Sequence, residues 1–168
     1  MKRIIFSFIV LLSVAGANAQ SANFEELSKI KGVDYTHVNK ETIKLSAKQG
    51  KGLQLGEMVN IGSDADGEEF LNQFDDVKVF KCEDKGSIKK FKKTVQKLLQ
   101  GKEWEPLIDT KGPDGEILKV YLSKNGEHST NVVLAVEDEE ANLVVINGTF
   151  DFAKMLQGGM KFNVETNY

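Results

Sequence analysis

Few side chains in this sequence could perform nucleophilic catalysis. Cys82 is the only cysteine, and His37 and His128 are the only histidines, so a thiol–imidazole pair would need these residues. Such a pair requires a thiolate next to a base. Cys82, however, ends a stretch typical of a buried strand, where a small packed thiol is expected. We predict no catalytic residues, and an enzyme of unknown chemistry stays as the alternative to a binding protein.

Two short motifs resemble ligand-binding loops but lack the residues that bind. The run Asp64-Ala65-Asp66-Gly67-Glu68-Glu69 is similar to a calcium loop, where glycine takes the sixth position and carboxylates take the first and twelfth. Here Gly62 and Gln73 would fill those two positions, so an acidic helix N-terminus is favoured. The glycines at 50, 52 and 56 are not followed by the Gly-Lys-Ser/Thr sequence of a phosphate-binding loop. We predict no metal and no cofactor.

The first nineteen residues have the pattern of a secretory signal peptide. Lys2 and Arg3 form a positive start, residues 4–16 form an uncharged and mostly apolar run, and small residues follow as an A-x-A motif. The apolar run is shorter than the roughly 20 residues that span a bilayer. We therefore predict cleavage between Ala19 and Gln20, and a periplasmic or secreted protein with no integral membrane segment after cleavage.

Charge excludes one class of partner. Removing the two basic residues of the leader from the 22 lysines and arginines leaves 20 against 25 acidic residues, a net charge of −5. This balance argues against general nucleic-acid binding. Arg3 is the only arginine, so the exported chain has no guanidinium for bidentate binding of phosphate or carboxylate. We predict no nucleic-acid partner.

A single α+β domain is predicted over residues 20–168, a length that suits one hydrophobic core. Its first half alternates strand-like and helix-like stretches. A short helix over 40–47 is expected to turn Ile43 and Leu45 toward the core. The glycine-rich stretch 49–62 is predicted to be a loop. Strands are predicted over 33–38 and 77–82, and helices over 40–47, 64–74 and 87–100.

The helix over 87–100 is the clearest element, with Ser87 as its cap and Gly101 at its end. Its apolar residues share one face and are expected to cover the sheet. Its polar side could meet an anionic membrane or an acidic partner, or could simply be solvated. That side carries five lysines with no acid among them: Lys89, Lys90, Lys92, Lys93 and Lys97.

The second half is predicted to be a four-stranded antiparallel meander over 104–110, 117–123, 129–136 and 143–150. A three-residue loop, Lys124-Asn125-Gly126, aligns the apolar residues of the middle hairpin better than the two-residue loop Asn125-Gly126. The predicted fold is a two-layer α+β domain, with helices on one face of a mixed sheet that ends in the meander. Strands 77–82 and 104–110 should form a right-handed parallel crossover if they share the sheet.

Four features occur together along the chain: a strand with Cys82 near its end, a lysine-rich amphipathic helix, a meander, and the close Ile146-Asn147-Gly148-Thr149-Phe150-Asp151. Together they resemble the Bacteroidetes envelope family catalogued as domain of unknown function 4252. The stretch Val33-Asp34-Tyr35-Thr36-His37-Val38 is similar to that family's first strand. The resemblance covers most of residues 24–156. It implies an exported bacterial protein and brings no catalytic residues.

The function predicted from these observations is a non-enzymatic binding or protein-interaction module, whose partner is an unknown envelope protein or a second copy. With the three-residue loop, an apolar set with Tyr121 near its middle lies on the sheet face opposite the helices. An exposed patch of this kind tends to mark a contact surface, although one face of an antiparallel sheet is often simply solvated. The predicted interaction face consists of Ile117, Tyr121, Val133, Leu143 and Val145.

Overall fold

Helices and a six-stranded sheet make up the part of the chain that the computed structural model describes, which is residues 22–50, 52–55, 59–61, 67–113 and 115–150. The predicted signal peptide and the first half of the calcium-like run, residues 64–66, lie outside the described residues. The elements are a 3-10 helix Phe24–Lys29, β1 Val33–Asn39, α1 Lys40–Lys48, β2 Leu53–Leu55, β3 Val59–Ile61, α2 Gly67–Leu71, β4 Phe74–Cys82, α3 Lys85–Leu98, β5 Glu105–Lys111, β6 Ile117–Asn125, β7 His128–Val136 and β8 Ala141–Gly148.

The large sheet has the strand order β1-β4-β8-β7-β6-β5, and each neighbouring pair is antiparallel. Strands β5 to β8 therefore lie side by side in chain order. The strands that flank α3, β4 and β5, run in the same direction but are separated by three others, so they do not pair. The expectation of a mixed sheet was wrong, since no parallel neighbours occur among the described strands.

Both faces of the sheet are covered, so the expected two-layer arrangement was also wrong. On one face, here the α3 face, Phe80, Leu143 and Val145 pack in one core with α3 and the 3-10 helix. On the other, the α1 face, Val77 and Val144 pack with α1, α2 and Leu53 of β2. The physical reason lies in β8, where residues 143–146 are all buried. A strand that is apolar on both sides needs cover on both.

The β6–β7 hairpin corrects the predicted register. Asn125 pairs with His128, so the loop is the two residues Gly126 and Glu127 rather than Lys124-Asn125-Gly126. Gly126 has a φ of 65°, as predicted, and Glu127 has no positive φ, which is the pattern of a type II′ turn. Val120 consequently pairs with Val133 instead of sharing a face with Val132. Relative to β6, each side chain of β7 therefore lies on the sheet face opposite to the predicted one.

Three local predictions also need correction. The glycine-rich stretch 49–62 contains the β2–β3 hairpin rather than only loop. In α1, Ile43 is fully buried as expected, but Leu45 is 58% exposed, and Ala47 takes the second inward position. Helix α3 begins at Lys85, so Ser87 is inside its first turn, where its Oγ donates to Asp84 Oδ2 at 2.6 Å.

Candidate functional site

The five residues of the predicted interaction face do not form one exposed surface. Leu143 and Val145 are buried in the core beneath α3, with exposed fractions of 0% and 2%. Ile117 and Tyr121 pack against the same core and are half-buried. Val133 lies on the opposite, α1 face. The wrong hairpin register misplaced Val133, because it put Val133 beside Tyr121. Leu143 and Val145 do share a face with Tyr121, but α3 covers them.

The structure separates Cys82 from both histidines. His37 pairs with Lys78, four residues before Cys82 along β4, which corresponds to about 13 Å. His128 begins β7 at the end of the sheet where β4 starts, and its Nδ1 lies 3.1 Å from Asp75 Oδ2. Cys82 is fully buried, and this burial raises the pKa of its thiol. The three side chains therefore cannot act as a thiol–imidazole pair in this fold.

No group of three His, Cys, Asp or Glu side chains within the described ranges converges on a point that could hold a metal ion. Gly67 and the two glutamates that follow it are in α2, while Asp64 and Asp66 lie outside the described residues. Within those same ranges, no helix is both long enough and apolar enough to cross a membrane.

The lysine-rich side of α3 faces solvent. Lys89, Lys90, Lys93 and Lys97 are exposed, and Lys92 is half-buried. The apolar side of the helix is already occupied, since Ile88, Phe91 and Val95 are buried against the sheet. A membrane could therefore meet only the charges of this helix and not its apolar side.

A cavity of about 370 Å³ opens on the α3 face, between the 3-10 helix and the ends of β4, β6, β7 and β8. We call it the Trp104 cavity. Its apolar wall includes Phe24, Trp104 and Val145, and its other lining residues are mostly polar. A concave site with apolar walls and a few convergent polar groups is the usual form of a small-molecule site.

Four polar side chains cross the sheet at this end, in directly paired positions. Asp76 pairs with Asn147, Asn147 with Thr130, and Thr130 with Ser123. We call these four residues the polar row; all except Asp76 line the cavity. Thr130 Oγ1 donates to Asn147 Oδ1 at 2.7 Å, and Asn147 Nδ2 donates to Asp76 Oδ1 at 3.1 Å. These bonds fix the Thr130 and Asn147 side chains in the polar wall of the cavity.

An ion pair closes one side of the cavity. Lys78 Nζ on β4 lies 2.9 Å from Glu25 Oε1 in the 3-10 helix. The hydrogen bond from Lys78 lowers the pKa of Glu25. Burial of Lys78 opposes its charge, but the bond and the attraction of Glu25 outweigh burial and raise the pKa of Lys78. The pair joins the 3-10 helix to the sheet and leaves the lysine already neutralised.

The Trp104 side chain is only 9% exposed, and its ring meets Phe24 edge to face with centroids 5.9 Å apart. Its indole Nε1 is buried and has no hydrogen-bond acceptor among the described residues. An unsatisfied buried donor costs about 1–3 kcal/mol. Nε1 is covered by its neighbours, so a ligand in the cavity does not reach it in this structure.

Sequence reasoning missed this site, although one signal was present. Thr130 and Asn147 are polar residues just outside the apolar runs 132–136 and 143–146 of their strands. Their partnership depends on the pairing of β7 with β8, and the contribution of Asp76 depends on β4 lying next to β8. The predicted meander placed β7 beside β8 without fixing their register, and nothing in the local pattern placed β4 beside β8.

Comparison with known proteins places this architecture in a family. Residues 28–157 match the family described as Domain of unknown function (DUF4252). The chain belongs to this family. The resemblance inferred from the sequence is thereby confirmed as far as the family is concerned, and the match includes the whole six-stranded sheet.

The closing motif of the family resemblance has a structural explanation in this chain. A Cβ on Gly148 would lie 2.2 Å from the backbone oxygen of Gln73 and 3.0 Å from Phe74 Cα, so only glycine fits. Thr149 donates its N–H to that same Gln73 oxygen at 2.9 Å. Phe150 then packs against Phe74, with ring centroids 4.7 Å apart. Through these contacts the motif packs the end of β8 against the start of β4.

A search of curated proteins finds no match to the chain. Among solved structures, the chain is similar to the Ran-binding protein Mog1p of Saccharomyces cerevisiae, at 15% identity over 75% of this chain and 82% of that one, with a TM-score of 0.29. A TM-score this low supports no inference about fold or binding.

Proposed function

We propose that this protein is an exported, non-enzymatic binding protein of the bacterial envelope and that it binds its ligand in the Trp104 cavity. The signal-peptide pattern of residues 1–19 supports export. The resemblance of the sequence to envelope proteins of Bacteroidetes supports the compartment and the source.

The observation that carries the binding site is the polar row beside a cavity on the α3 face of the sheet. Three of its members line the cavity, and two of these, Thr130 and Asn147, are held by hydrogen bonds. Protein cores exclude polar side chains unless they are hydrogen-bonded. Because the polar row is half-buried and borders a cavity, its polar atoms are suited to hold a polar ligand.

The same geometry favours binding over catalysis. The Thr130 hydroxyl donates its proton to Asn147 Oδ1, which is a neutral amide oxygen. An amide is too weak a base to take that proton, so Thr130 is not activated as a nucleophile. Asp76 accepts a bond from the Asn147 amide and does not reach the hydroxyl directly.

Equilibrium dialysis tests this function. The mature chain, residues 20–168, is dialysed against the low-mass fraction of a bacterial envelope extract, and retained compounds are identified by mass spectrometry. We expect the wild-type chain to retain a compound that Asn147→Ala does not. Thr36→Val, an exposed position on β1, is the matched control and should retain it. The proposal is contradicted if Asn147→Ala retains the compound as Thr36→Val does. It is also contradicted if neither the wild-type chain nor either variant retains any compound.

Export is tested separately. The intact mass of the secreted protein should correspond to a chain that begins at Gln20. A retained leader, or recovery only from the cytoplasm, contradicts the envelope assignment without bearing on the cavity.

A further inference from the structure

The charges around the Trp104 cavity restrict the class of ligand. Among the described residues that line the cavity, Lys78 is the only cation, and Glu25 already neutralises it. Glu103 adds a carboxylate to the lining. No arginine is present in the exported chain to bind a phosphate or carboxylate bidentately. An anionic ligand would therefore enter a site with net negative charge and no free cation in its lining.

The polar lining also excludes a purely apolar ligand. Ser123, Asn125 and Thr130 supply hydroxyl and amide groups along one wall, and a hydrocarbon would desolvate them without replacing their hydrogen bonds. The lining includes a group that only accepts, the Glu103 carboxylate, and groups that both donate and accept, such as Ser123. A hydroxyl-rich ligand can match both kinds, because each hydroxyl donates one bond and accepts others.

Two rings complete the site. Phe24 and Trp104 are only 6% and 9% exposed, so the aromatic wall that they form consists of the few ring atoms that reach the cavity, and the C–H groups of a saturated ring can pack against these atoms. The volume of about 370 Å³ is within the range of small-molecule sites.

From this combination of aromatic wall, uncharged polar groups and absence of a free cation, we propose that the Trp104 cavity binds a neutral carbohydrate, a mono- or disaccharide unit of an uncharged glycan. This inference rests on the binding role proposed above and adds the class of ligand.

The test uses an array of neutral and acidic glycans, followed by calorimetric titration of the mature chain with the free sugar of the strongest neutral hit. Trp104 is the only tryptophan, so its fluorescence reports on the cavity directly. We expect saturable binding of a neutral glycan and a change in Trp104 emission. Losing one hydrogen bond should weaken binding about tenfold in Ser123→Ala and in Asn147→Ala.

Thr36→Val is again the control and should bind as wild type does, and circular dichroism melting shows whether each variant is folded. Ser123 is half-buried near the end of β6, so its variant keeps the test valid if Asn147→Ala does not fold. Binding of acidic glycans alone, or binding that Ser123→Ala leaves unchanged, overturns the proposal.

A capped neutral tripeptide, acetyl-trialanine amide, separates this proposal from the proposed function. If the tripeptide binds and Ser123→Ala weakens it while no neutral glycan binds, the carbohydrate class is wrong and the binding site stands. If neither probe binds and the dialysis experiment also retains nothing, both proposals fail.

Discussion

At the scale of single residues, burial governs what Cys82 can do. The thiol is fully buried, and this raises its pKa, so little thiolate forms at neutral pH. The sequence predicted a packed thiol from its place at the end of an apolar strand, and the structure confirms that placement. The histidines were harder to place, because their positions depend on strand pairing.

We therefore expect Cys82 to react slowly with a thiol reagent in the folded protein and rapidly after unfolding in guanidinium. Labelling with a disulfide reagent at neutral pH measures both rates. Leu45→Cys, at a position that is 58% exposed, supplies a matched exposed thiol and should react rapidly without denaturant. Rapid labelling of Cys82 in the folded wild-type chain would contradict the structure and reopen the thiol–imidazole alternative.

Asp75 makes the stability of the protein depend on pH. Its hydrogen bond from Lys40, at 2.6 Å, lowers the pKa of Asp75, and the nearby His128 adds to this effect. A carboxyl whose pKa is lower in the folded state stabilises that state above its unfolded pKa of about 3.9. This contribution is lost as the pH falls through the folded pKa.

Asp75→Asn should lower the free energy of unfolding near pH 6, by less than about 1 kcal/mol because both side chains are partly exposed. The difference from wild type should shrink as the pH falls from about 4 toward 2. Urea denaturation at several pH values measures it. In a Lys40→Ala background the effect of Asp75→Asn should be smaller, and an equal effect would show that the ion pair is not its source.

At the scale of elements, helix α3 could be predicted to within two residues because its pattern is local. The β6–β7 register could not. Alternation selects a register only when one face of a hairpin is apolar and the other polar. Here Val132 is buried on the α3 face while Val133 packs on the α1 face, so the hydrophobic pattern is compatible with either register of the hairpin. The turn sets the register instead, because Gly126 with its positive φ takes the first position of the two-residue loop.

The junction between β8 and β4 gives a prediction at this scale. Gly148→Ala places a Cβ against the backbone of Gln73 and Phe74, which cannot move as a side-chain end could. We expect a loss of about 3 kcal/mol or more in the free energy of unfolding, measured with urea.

Gly86→Ala is the matched control for this variant. A Cβ there meets only the Asp84 carboxylate oxygens, at 3.7 and 3.8 Å, and Gly86 is in the first turn of α3. Since alanine favours a helix over glycine, this change should be neutral or stabilise by up to about 1 kcal/mol. Similar losses in both variants would show that the close approach at Gly148 is not the cause.

At the scale of the whole molecule, the sheet is the middle layer. The sequence supports an α+β domain with strands β5 to β8 in succession, and the candidate site could not be foreseen because it needs β4 inserted beside β8. The sequence did contain one indication that both sheet faces are covered. All four residues of the run Leu143-Val144-Val145-Ile146 are apolar, and consecutive residues of a strand point to opposite faces.

Cover on the α1 face is tested by placing a charge beneath it. Val133 pairs with Val120 on one side and Val144 on the other, and packs against the α1-face core. Val133 is half-buried, and Val133→Asp would put a carboxylate among these apolar side chains. We expect a loss of at least about 2 kcal/mol in the free energy of unfolding, measured with urea.

Leu45→Asp, on the exposed side of α1, is the matched control and should change stability by about 0.5 kcal/mol or less. If Val133→Asp were equally mild, Val133 would face water and the sheet would have one open face, as the sequence pattern first indicated. If it destabilises as expected, neither sheet face is free to serve as a broad contact surface at this position. Ligand recognition would then belong at the end of the sheet, where the polar row lines the Trp104 cavity.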